Sequence, residues 1–187
     1  MERCYRRDIV LLTMVLCTFV LSVAVAFAQN QHVITPVLQT QNVSPGNPVT
    51  LQVNYSTRNA NGESVAILSS GIAPLLLHFD PNQLSSLMVM NPLPDDLTLA
   101  GSQQNDRQNF DGDPMTTRRL NFQWVSTSVD WPAGDFVNTN SVILFTVTFT
   151  ASPTFSGTTI RFTDGNGLGS SQGFTLPIQS ITLNAAQ

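Results

Sequence analysis

The ten residues Ser141–Thr150, SVILFTVTFT, constrain the fold more than any other stretch of this chain. Ile143, Phe145, Val147 and Phe149 fall on one side of an extended backbone, and Leu144, Thr146, Thr148 and Thr150 fall on the other. That is the two-residue period of a strand with one apolar face and one wet face. Four large β-favouring side chains in a row need an equally apolar cover, so a second sheet has to pack on them.

The same alternation recurs along the chain. Val49, Leu51, Val53 and Tyr55 point inward, while Thr50, Gln52 and Asn54 point outward. Within Gly71–Asp80, Leu75, Leu77 and Phe79 share a face, opposite Leu76 and His78. Leu120, Phe122 and Trp124 form another inward set, and Ile160 and Phe162 another. Ser44–Pro48, Asn59–Gly62 and Trp131–Gly134 supply turns. Pro36 puts the first strand, His32–Leu38, at an edge. Asp80 can cap a single helical turn over Pro81–Leu84, with Pro81 at its first position. The segment 91–117 reads as the least structured part, and Asp164–Gly173 as a glycine-rich loop. About nine short strands with turn-punctuated spacing predict an all-β sandwich of jelly-roll type.

The first residues stand apart from this pattern. Arg3, Arg6 and Arg7 precede an uncharged apolar run, Ile9–Val25, and Ala26-Phe27-Ala28 then fits the small-x-small rule for signal cleavage. The expectation is a signal peptide over residues 1–28 and a single secreted domain over 29–187. Both cysteines, Cys4 and Cys17, lie in the leader, so the mature domain has no disulfide to lean on. Five arginines then face ten acids, a net charge of −5, which argues against nucleic acid and anionic membrane surfaces as partners. The chain has no lysine, which excludes Schiff-base and P-loop chemistry.

Catalytic signatures are equally sparse. Neither His32 nor His78 sits in a metal-ligand spacing, and no G-x-S-x-G elbow is present. No catalytic residues are expected. The densest set of hard oxygen donors is Asn105–Asp113, NDRQNFDGD. Asp106, Asp111 and Asp113 could hold Ca²⁺, with Gly112 letting the loop fold between its carboxylates. It is not an EF-hand loop, and the same residues also describe a solvated acidic loop. Trp131, in Asp130-Trp131-Pro132, is the candidate ligand-binding residue, a platform for a sugar ring or an aromatic anchor for a protein. Trp124 alternates with Leu120 and Phe122 and belongs to the core pattern.

Three stretches in order resemble the cohesin family. Gly71–Leu87, GIAPLLLHFDPNQLSSL, is similar to a cohesin strand running into Asp-Pro-x-x-Leu. Arg119–Val125 sits where the family has a central strand, and Ser141–Phe162 resembles its later strand pair, joined by a small loop at Gly157. The resemblance implies a nine-stranded jelly roll without catalytic machinery, working as a secreted interaction or cell-surface module. It implies a protein partner, dockerin-like or another extracellular protein. The alternative on the same architecture is a carbohydrate-binding module whose partner is a polysaccharide.

Overall fold

The computed structural model describes residues 31–59, 61–65, 71–90, 97–126, 141–164 and 174–187. They form eleven strands in two sheets. In chain order these are β1 (Gln31–Leu38), β2 (Asn42–Val43), β3 (Pro48–Arg58), β4 (Gly71–Phe79), β5 (Leu84–Met90) and β6 (Leu97–Asn105). There follow β7 (Arg118–Ser126), β8 (Val142–Ala151), β9 (Gly157–Asp164), β10 (Phe174–Thr175) and β11 (Ser180–Ala185). One sheet has the order β10-β1-β3-β8-β5, and the other β2-β11-β9-β4-β7-β6. Since β2 and β10 have two residues each, the remaining nine strands carry the predicted sandwich.

The core lies between the sheets and is built from the inward sets read in the sequence. Val49, Leu51, Val53 and Tyr55 meet Phe145, Val147 and Phe149 within one sheet, and Leu75, Leu77, Phe79, Leu120, Phe122, Ile160 and Phe162 cover them from the other. Phe122 and Phe145 pack across the sandwich at 4.2 Å between ring centroids, and Phe79 meets Phe149 at 5.1 Å. Tilted aromatic pairs of this kind suit the ring quadrupoles.

Strand β8 departs from strict alternation at one place. Val53 pairs with Phe145 but Asn54 pairs with Ile143, so Leu144 is an extra residue in β8. A bulge of this kind shifts the phase of the side chains that precede it. Ile143 is therefore turned outward at 40% exposure, and Leu144 is fully buried beside Phe145. The expected assignment of Ile143 to the core face and Leu144 to the wet face is corrected accordingly.

Segment 91–117 also needs correction. Leu97–Asn105 is a nine-residue edge strand paired along its length with β7. Its second half, Gly101-Ser102-Gln103-Gln104, has no apolar alternation and is held as a strand by its pairing with β7 at the sheet edge. The helical turn expected at Pro81–Leu84 is a hydrogen-bonded turn that leads straight into β5. Leu84 N–H donates to the Asp80 carbonyl at 2.9 Å, and Asn82 N–H donates to Asp80 Oδ1 at 2.8 Å. Beyond the turn at Asn59–Gly62 one isolated bridge joins Arg58 to Ser64, and 66–70 lie outside the described residues.

A buried polar cluster beneath the 106–117 loop

Strand β4 has no wet face along Leu75–Phe79. Leu75, Leu77 and Phe79 point into the sandwich, while Leu76 and His78 point out of it, and all five are buried. At His78 the β6–β7 connection, 106–117, folds back over that side and meets the ring through Asp106. Its path needs left-handed backbone twice, at Asn109 (φ 49°) and Gly112 (φ 75°). Asparagine and glycine are the residues that take that conformation most readily. Asn109 N–H bonds the Asp106 carbonyl at 3.4 Å, Gly112 N–H the Asn109 carbonyl at 3.0 Å, and Thr116 N–H the Asp113 carbonyl at 3.2 Å. Asp106 N–H closes the loop onto the Thr117 carbonyl at 2.9 Å.

His78 is the anchor beneath this loop. Its Nδ1 lies 2.7 Å from Asp106 Oδ2, and its Nε2 lies 2.9 Å from Thr163 Oγ1 on β9. The side chains of His78 and Asp106 have no exposed surface. A neutral ring satisfies both contacts by donating Nδ1–H to the carboxylate and accepting the Thr163 hydroxyl at Nε2. The other Asp106 oxygen, Oδ1, is buried with no hydrogen-bond partner.

The second layer of the cluster is carried by Asp111. Its side chain is 1% exposed, and its Oδ2 accepts the Thr116 hydroxyl at 2.6 Å. Arg161 Nε is 3.8 Å from that oxygen but donates directly to Asp113 Oδ2 at 3.0 Å. Asp113 stands at the rim, where its Oδ1 accepts Met115 N–H at 3.0 Å. That backbone bond, with the bond and charge of Arg161, holds the Asp113 carboxyl below the ordinary carboxylate range against a smaller opposing effect of burial.

The three aspartates singled out in the sequence are thus divided by the fold. One donor atom each from His78, Asp106 and Asp111 lies within 4.8 Å of the others, whereas Asp113 pairs with Arg161. Sequence reasoning missed His78 as a member. Its signal was a single histidine among leucines in a strand whose next outward residue, Asp80, is also polar. Trp131 lies outside the described residues, and so does the predicted leader.

The order Thr163–His78–Asp106 repeats the nucleophile–base–acid connectivity of hydrolases. The imidazole, however, is wholly enclosed, so no substrate can reach it as folded. This arrangement fastens the loop to β4 and β9.

A second buried histidine lies in the other sheet. His32 Nδ1 is 2.6 Å from the Tyr55 hydroxyl, and the two rings stack at 5.8 Å. Burial pushes the Tyr55 phenol far above its ordinary range, so it stays protonated and able to donate.

No family model matches the chain, and no curated protein matches it. The solved structures similar to it include a type II cohesin domain from the cellulosome of Acetivibrio cellulolyticus. Identity is 18% and the TM-score 0.48, with 82% of this chain and 95% of that one covered. Another is the second type II cohesin module of the adaptor ScaA scaffoldin of the same organism, at 16% identity and TM-score 0.49, covering 84% and 98%. A third is a type I cohesin–dockerin complex from Clostridium thermocellum, at 10% identity and TM-score 0.49, covering 82% and 99%.

Proposed function

We propose that this chain is a secreted, non-catalytic binding module of cohesin-like type that recognises a protein through the outer surface of a sheet. The observation that carries the reading is an uncharged face four strands wide. The register aligns Met90, Thr146, Gln52 and Val37 across β5, β8, β3 and β1, and next to them Met88, Thr148 and Thr50. Met88 and Met90 are each 56% exposed and Val37 is 42% exposed. The hydroxyl and amide groups between them form a hydrogen-bonding surface, with Thr50 and Thr148 at 3.4 Å and Gln52 donating to Asn54 at 2.7 Å. Flexible methionines beside neutral polar groups suit a protein contact that does not depend on charge steering. Secretion rests on the leader pattern over residues 1–28, and a dockerin-like partner rests on the resemblance carried by Gly71–Leu87 and Ser141–Phe162. The polysaccharide alternative needs a free aromatic platform. Its candidate platform, Trp131, lies outside the described residues; among those described Phe110 is exposed, with one face covered by the Arg119 guanidinium at 4.6 Å.

The test uses the exported protein as bait for dockerin modules and for a glycan array. Thr148→Arg tests the uncharged face, and Gln123→Arg tests the opposite sheet. The reading expects a captured dockerin-type or other extracellular protein, lost at least tenfold in Thr148→Arg but kept in Gln123→Arg, with melting temperature unchanged. Loss in Gln123→Arg alone would move the site to the other sheet and overturn the reading. Glycan binding alone, or capture indifferent to both substitutions, overturns it.

A further inference from the structure

We propose that His78, Asp106 and Asp111 form a site for a divalent transition ion of zinc type that pins the 106–117 loop to the outer side of β4. The inference is independent of the protein-binding reading. It starts from charge. Two carboxylates, with 0% and 1% of their side-chain surfaces exposed, share one arginine contact, Asp111 to Arg161 at 3.8 Å, and that guanidinium makes its direct hydrogen bond elsewhere, to Asp113. Arg119, across from His78 on β7, donates to Gln104 and forms no ion pair with either carboxylate. Buried carboxylates need a matching positive charge, and a dication between them supplies it.

A second, independent observation is the unused oxygen. Asp106 Oδ1 is buried and has no hydrogen-bond partner, although the residue lies in a cluster whose donor atoms fall within 4.8 Å of one another. Metal coordination is a role that such an oxygen can fill without a donor nearby. Asp111 Oδ2, held by the Thr116 hydroxyl, is oriented in the way outer hydrogen bonds orient metal-ligating carboxylates.

The histidine decides which metal. Calcium takes six to eight oxygen ligands, whereas an imidazole nitrogen with two carboxylates is a donor set for zinc and its neighbours. Thr163 makes the ring adaptable. When Nδ1 binds a metal, its proton is replaced by one on Nε2, which then donates to Thr163 Oγ1 as the hydroxyl turns round. The ring stays neutral, and no proton is gained or lost overall. Nδ1 and Asp106 Oδ2 now stand 2.7 Å apart. Two tetrahedral ligands at 2.0–2.1 Å from zinc stand about 3.3 Å apart, so a movement of roughly half an ångström admits the ion.

The test titrates the chelator-treated full protein with Zn²⁺, Ca²⁺ and Mg²⁺ separately, by calorimetry and by melting temperature. The expected result is one equivalent of zinc bound at micromolar concentration or tighter, raising the melting temperature, with no comparable response to calcium. His78→Gln and Asp106→Asn should each weaken zinc binding at least tenfold, while Asp113→Asn leaves it unchanged. Should a variant fail to fold, the wild-type Co²⁺ complex still decides, because its visible spectrum must show low-coordinate binding with an imidazole nitrogen. Absence of saturable zinc binding, an equal calcium response, an all-oxygen cobalt spectrum, or a loss on Asp113→Asn equal to that on Asp106→Asn would overturn the proposal.

Discussion

Leu77 and His78 are neighbours on β4, both without exposed surface, yet they are buried by different means. Leu77 is covered by the facing sheet, in a region where many apolar side chains share the work. His78 is held through named polar atoms: Asp106 Oδ2 from the 106–117 loop, Thr163 Oγ1 from β9 and, behind them, the Thr116–Asp111 bond. The apolar side loses stability in proportion to the volume removed. The polar side is set by pairing, because each member is satisfied only while its partner remains.

The largest effect is expected on the apolar side. Phe145→Ala removes a wholly buried ring packed on Phe122 and should cost about 3–5 kcal/mol in a urea melt. Ile143→Thr, two residues away but turned outward by the bulge, should change stability by less than about 0.5 kcal/mol. Equal losses would mean that the bulge is misplaced. On the polar side, Asp106→Ala leaves His78 buried without its partner and should cost about 2–4 kcal/mol. A loss below about 0.5 kcal/mol would show the loop to be decoration.

The smallest effect is expected at the rim. Because the folded Asp113 carboxyl titrates below its unfolded value, its contribution is present above the unfolded carboxylate pKa of about 3.9 and is lost as pH falls through the lower folded value. Followed by carbon NMR, the Asp113 midpoint should lie below that of the unfolded chain. Replacing Arg161 with Gln should move it only part of the way back, since the Met115 amide bond is the larger cause. A complete return would assign the shift to the arginine.

The two sides of β4 also differ in how far the sequence betrayed them. The inward sets were legible because a period of two, repeated in strand after strand, leaves little freedom for where Leu75, Phe122 or Phe149 can go. The bulge at Leu144 was hidden because an apolar residue in an otherwise threonine-rich outward row breaks no rule by itself. Strand β6 was hidden because Gly101–Gln104 has the composition of a loop, and its strand character comes from pairing with β7. The cluster was half legible. Asp106 and Asp111 were recognisable as oxygen donors close together in sequence, but the contact of Asp106 with His78 spans 28 residues and depends on how the loop folds back. No local pattern encodes that return.

The claim that a polar pair, rather than general cover, holds the loop on β4 is tested most directly by a double-mutant cycle in chelator. His78→Leu, Asp106→Leu and the two combined are compared with the wild type by equilibrium unfolding. A paired cluster predicts a coupling energy of at least about 1 kcal/mol, with the double variant more stable than the sum of the single losses. Strictly additive losses would contradict it.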